Sequence, residues 1–145
     1  MKARAFSAVF AVMALFSFPL SGLPAHADIQ PVMALDNMYT ALNAGQVETA
    51  AASFDTNAKI VDSIQGKEYV GVSGITQMLQ GMQRDGRQYS IARLDMDGNT
   101  VVANVDVSDN DIVWGTETIE AQVKDGKIQN LDETAFRLQL WGYQY

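Results

Sequence analysis

Phe54-Asp55-Thr56-Asn57-Ala58-Lys59-Ile60-Val61-Asp62 is the stretch on which the fold turns. Ala58 to Asp62 reads as a strand that ends on a carboxylate. Ser63 to Lys67 then turns, and Glu68-Tyr69-Val70 makes a short return strand. Ser73 is placed to cap a helix carrying Ile75, Met78, Leu79 and Met82 on one face, with Gly81 and Gly86 flanking its end. Upstream, Val32, Leu35, Met38, Tyr39 and Leu42 recur at helical spacing behind Asp28 as a cap and Pro31 in the first turn, and Gly45 stops the run. An Ala-rich stretch from Gln46 to Ser53 predicts a second, shorter helix.

Everything after Gly86 is strand and turn. Arg87–Met96 is a strand, Asp97-Gly98-Asn99 a turn, and Thr100–Ser108 a strand in which Val101, Ala103, Val105 and Val107 alternate with polar residues. Asp109-Asn110-Asp111 turns again, Ile112–Lys124 is a long strand, Asp125-Gly126 is a tight hairpin, and the last strand runs from Lys127 to about Leu138. Helices come early and strands late, in the order ααββαββββ. The expected class is α+β, an antiparallel sheet packed on three helices.

The N-terminus predicts export. Lys2 and Arg4 precede an apolar run from Ala5 to Leu20, and Ala25-His26-Ala27 offers small residues at the two positions a signal peptidase must fit. Residues 1–27 are therefore expected to be a cleavable signal peptide, with residues 28–145 as one working domain, periplasmic or secreted, without a lasting membrane anchor. The run is short for a span of roughly 20 residues. Cleavage would remove two of the ten basic residues against 17 acidic ones, moving the charge from −7 to −9. It would also remove the single histidine, and there is no cysteine. Thiol, imidazole and disulfide chemistry are then closed to the mature chain, as is a zinc site of the usual ligands. No metal or cofactor is expected. The remaining cations are scattered, which argues against nucleic acid as a partner.

These elements resemble the nuclear transport factor 2-like superfamily, which includes the SnoaL-like polyketide cyclases and the ketosteroid isomerases. Phe54–Asp62 looks like its first strand, Gly71 and Ile75 match its G-x-x-x-I approach to the third helix, and Lys124-Asp125-Gly126-Lys127-Ile128 looks like its final hairpin. The resemblance covers nearly all of residues 30–137. It implies a cone-shaped curved sheet wrapped around the helices, with an apolar pocket at the open end.

Asp62 matches the general base of the ketosteroid isomerases and is the candidate catalytic residue, able to take a proton next to a carbonyl. Its other reading is a strand-end carboxylate that accepts backbone hydrogen bonds in the following turn. The oxyanion partners of those enzymes are not visible. Met38 stands at the first-helix tyrosine position, with Tyr39 one helical step of about 100° away. Leu79 replaces a second tyrosine. Counting back from Gly126 without gaps, Thr118 stands where those enzymes have the protonated aspartate, with Glu117 and Glu120 adjacent but out of register. Met38, Tyr39, Met78 and Met82 on apolar helical faces, and Trp114, Thr116 and Thr118 on one face of the long strand, are the candidate pocket residues. The strand face has a second reading as a dimer surface. Asp106, Asp109 and Asp111 lack the glycine and distal glutamate of a calcium loop and read as a solvated hairpin; Arg84 and Arg87 read as facing water.

Two functions follow. One is a domain that binds a small, largely apolar molecule, with proton transfer by Asp62 such as isomerisation or cyclisation. The other is a non-catalytic association module, a homodimer or a partner of another exported protein. A cavity of a few hundred Å³ walled by Asp62 supports the first. A cone filled by Met38, Met78, Leu79 and Trp114, with Asp62 in solvent, supports the second.

Overall fold

The structure, a computed structural model, describes residues 29–139. The signal-peptide reading, Asp28 as a cap, His26 and the aromatics Trp141, Tyr143 and Tyr145 lie outside them. Helix α1 spans Gln30–Asn43 and α2 Val47–Ala51; strands β1 (Phe54–Asp62) and β2 (Lys67–Val70) follow, then α3 (Gly71–Arg84) and strands β3 (Gln88–Asp97), β4 (Thr100–Asp109), β5 (Ile112–Lys124) and β6 (Lys127–Leu138). The expected order holds.

The six strands form one curved, unclosed sheet in the order β2-β1-β6-β5-β4-β3. The sheet is mixed, which corrects the wholly antiparallel expectation: β1 runs parallel to β6, and every other neighbouring pair is antiparallel. The cause is the chain path. After the β1–β2 hairpin, α3 carries the chain to the far edge, and the β3–β6 meander returns until β6 meets β1. This pairing also starts β1 at Phe54, four residues earlier than its apolar pattern indicates.

One face of the sheet packs on the helices. On β4 it presents Val101, Ala103, Val105 and Val107, and on β5 Ile119, Ala121 and Val123, all buried. Leu35, Met38, Tyr39 and Leu42 come from α1, and Ile75 and Leu79 from α3. Burying a Leu or Ile side chain contributes roughly 1.5–3 kcal/mol, so this layer supplies the cohesion that disulfides would otherwise add. Met33 of α1 points away from this layer and is half exposed at 51%. Ser73 does not cap α3. That helix opens at Gly71, whose φ of 72° swings the chain from β2 into the helix, and no side chain caps it. Asn43, the last residue of α1, clamps the edge strand: its Nδ2 donates to the Tyr89 carbonyl (2.7 Å) and its Oδ1 accepts the Tyr89 N–H (2.8 Å).

Gly115 on β5 is buried directly beneath the Phe136 ring, and a Cβ there would collide with that ring. Gly115→Ala should therefore cost about 1–3 kcal/mol through overpacking, read as a lower urea midpoint. An unchanged midpoint would show that Phe136 is free to move aside.

Candidate functional site

The interior polar groups lie where β1, β6 and β5 pass side by side. Asp62 follows Ile60 on the helix-covered face of β1 and is only 6% exposed. In the parallel ladder it stands directly beside Glu133 of β6, and Glu133 in turn stands opposite Ile119 of β5. Glu117 is two residues before Ile119, so it shares that face. A bulge between Thr118 and Ile119 lets both Glu117 and Glu133 face inward.

Glu117 and Glu133 line a cavity of about 20 Å³ together with Met38, Tyr39, Phe54, Ile60, Met78, Leu79, Met82, Ile119 and Leu131. That is room for about one water molecule. Tyr39 is 4% exposed and stacks on Tyr89, with ring centroids 5.7 Å apart. Among the described residues, neither glutamate carboxyl nor either tyrosine hydroxyl has a hydrogen-bond or ion-pair partner. No group of three or more His, Cys, Asp or Glu there is arranged to hold a metal ion.

Burial sets the protonation of this cluster. Desolvation, then the charges of Glu133 and Asp62, push the Glu117 carboxyl up to about 8, against the opposing pull of Arg87. Desolvation, Asp62 and Asp132 raise Glu133 as well. Tyr39 and Tyr89 are both raised, first by burial and then by Glu117, so both stay protonated. At neutral pH the Glu117 side chain is thus chiefly a neutral acid able to donate a hydrogen bond.

The sequence-derived residues divide. Met38, Tyr39, Met78 and Met82 meet at the cavity. Tyr39 reaches it despite its 100° offset from Met38, because α1 is covered on more than one side and buries a broad face. Asp62 lies at the next inward position beyond the cavity-lining Ile60, and its Oδ1 accepts the backbone N–H of Gln65 (2.8 Å), closing the turn after β1. Trp114, Thr116 and Thr118 do not share a face, contrary to expectation. Thr116 and Thr118 lie on the outer face, where their hydroxyls donate to Asp106 Oδ1 (2.8 Å) and Asn104 Oδ1 (3.2 Å). A register shift on β5 between Val113 and Gly115 turns Trp114 the other way. Its ring lies 5.2 Å from that of Phe136, and the Arg87 guanidinium sits over it at 4.3 Å. Arg87 therefore stacks instead of simply facing water. Asn110 and Asp111 adopt left-handed turn conformations, and the hairpin they form is exposed.

Glu117 and Glu133 were missed as inward residues, although one signal was present. Gly115, Ile119, Ala121 and Val123 form an apolar alternate row on β5 in which Glu117 is the only ionisable residue. Reading the row from the hairpin end places Glu117 inside.

The SnoaL-like domain family matches residues 35–131. The chain belongs to that family. No curated sequence matches it significantly. Among solved structures it resembles a candidate ketosteroid isomerase from Kribbella flavida (TM-score 0.62, 16% identity, 80% of this chain and 82% of that one). It also resembles a candidate polyketide cyclase from Sinorhizobium meliloti (0.61, 18%, 70% and 93%) and a cystatin-like-fold protein of unknown function from Nostoc punctiforme (0.65, 16%, 77% and 92%). At these identities the likeness establishes the fold, a cone-like α+β arrangement.

The Glu117 shift fixes a pH dependence. With its folded-state pKa raised above the ordinary 4.5, the native state keeps a proton that the unfolded chain has lost. Its stabilising effect is complete below about pH 4.5 and is lost as pH rises through 8. Urea unfolding should show the wild type losing on the order of 4 kcal/mol more than Glu117→Gln between pH 5 and pH 9. Parallel profiles would contradict the shift.

Proposed function

We propose that this chain is an exported SnoaL-like domain that binds a small, largely apolar molecule by its carbonyl end and transfers a proton there. The observation that carries the reading is the pair of half-buried, inward-facing carboxyls at the cavity, which have no partner among the described residues. Partial burial pushes Glu117 up to about 8, and a perturbed carboxyl in a cavity is a functional signature. Glu117 as a neutral acid and Tyr39 as a phenol are O–H donors for an oxygen that becomes negative as an enolate forms. Each such donor is worth roughly 10²–10³ in rate. We assign Glu133, which lines the cavity, as proton acceptor. Asp62, whose carboxylate already holds the Gln65 N–H, supplies fixed negative charge beside it. The names of two fold neighbours, an isomerase and a cyclase candidate, support the same class of chemistry.

Ligand binding requires the cavity to enlarge. Met78 and Met82 are only partly buried on α3, and their unbranched, adaptable side chains can swing aside.

The small cavity favours a second reading, a non-catalytic homodimer or a partner of another exported protein, with the outer sheet face around Thr116 and Thr118 as its contact. Native mass spectrometry of protein purified from its own host separates the two. The proposal expects a chain beginning at Asp28 with a retained small molecule. It also expects 2-naphthol, whose phenolate mimics an enolate, to bind saturably, about tenfold more weakly after Glu117→Ala or Tyr39→Phe. A ligand-free dimer that ignores 2-naphthol would sink the first reading and support the second. Once a substrate is in hand, Glu133→Gln should abolish turnover and Asp62→Asn should only reduce it; the reverse order would move the base to Asp62.

A further inference from the structure

Arg87 immediately precedes β3. Its guanidinium lies over the Trp114 indole at 4.3 Å. The ion pairs among the described residues are Lys59–Glu68 and Arg93–Asp95, so no carboxylate holds Arg87, and no hydrogen bond does either. The guanidinium packs against the indole, and among the described residues its N–H groups have no hydrogen-bond or ion-pair partner; such a planar fork can grip an oxyanion through two parallel bonds. The edge borders an open groove of about 520 Å³ lined by Asp85, Arg87, Asp109, Asn110, Ile112 and Trp114.

This groove lies beside the interior site, with no lining residue in common. Trp114 packs on Phe136 at 5.2 Å, and Phe136 stands opposite Glu117 in the β5–β6 ladder. Trp114 and Glu117 are three residues apart, roughly 10 Å along a strand. The charge of Arg87 also reaches inward, opposing the upward shifts of Glu117 and Tyr89.

We infer that Arg87, braced by Trp114, is a ligand-specificity residue that binds a carboxylate on the far end of the molecule whose carbonyl end meets Glu117. The ligand class is thus an apolar body, of about the length of two fused six-membered rings, with an oxygen acceptor at one end and a carboxylate at the other. Asp85 and Asp109 border the same groove and oppose the anion, so they temper the affinity. This inference rests on the proposed interior site.

The test compares 2-naphthol with 6-hydroxy-2-naphthoate, which adds a carboxylate at the opposite end. Titration at low salt should give the wild type an acid-to-naphthol affinity ratio of about ten. The ratio should fall close to one in Arg87→Met, and most of the way in Arg87→Lys, which keeps the charge and loses the planar fork. Asp85→Asn should raise it, and added salt should lower it. If naphthol binds but the ratio is near one in the wild type, or survives Arg87→Met, the carboxylate subsite is wrong and the interior site stands. If neither probe binds, both fall.

Discussion

The parallel pairing of β1 with β6 holds the rest of the molecule together. It joins the β1–β2 hairpin to the β3–β6 meander, two units that local turns alone would leave apart. The register places Ile60 beside Leu131 and Asp62 beside Glu133. The first of these pairs continues the apolar wall. The second sets two acidic side chains on neighbouring strands, about 4.8 Å apart in backbone spacing. Glu117 arrives on the next strand through the β5–β6 ladder. One non-local hydrogen-bonding pattern therefore both closes the sheet over the helices and concentrates negative charge inside it.

That concentration works against stability, and the surrounding layer offsets it. β4 contributes four fully buried aliphatic side chains to the same face, and α1 and α3 cover it with Leu35, Leu42, Ile75 and Leu79. The charge cost is reduced chemically as well. Desolvation, together with the charges of Glu133 and Asp62, keeps a proton on Glu117 at neutral pH, which removes one of the like charges from the cluster. A fold that only needed cohesion would place apolar residues here.

The open end of the cone is built differently. Tyr39 and Tyr89 stack in the interior, whereas Trp114, Phe136 and Arg87 stack at the rim, and Gly115 lies flat beneath Phe136. Of these rings Tyr39 lines the interior cavity, together with the adaptable Met78 and Met82. The proposed flat apolar guest would be held by fixed groups at its ends and by mobile packing along its body.

Element order, the strand–turn–helix run from Phe54 to Met82 and the alternating β4 were legible in the sequence because hydrophobic period and turn residues are local properties. So were Leu35, Met38, Tyr39, Leu42, Ile75 and Leu79 as inward residues of the helices. The membership of Asp62 in a buried acidic cluster was not. It depends on Glu133, which is 71 positions away in the chain and becomes a neighbour only through a parallel ladder that alternation cannot reveal. The faces of Trp114, Thr116 and Thr118 were hidden for a related reason, since one bulge on β5 separates residues that simple alternation groups together. The sequence by itself determined the elements and the supply of chemical groups. Tertiary structure alone decided which of those groups meet, because strand neighbours and bulges are set by long-range backbone pairing.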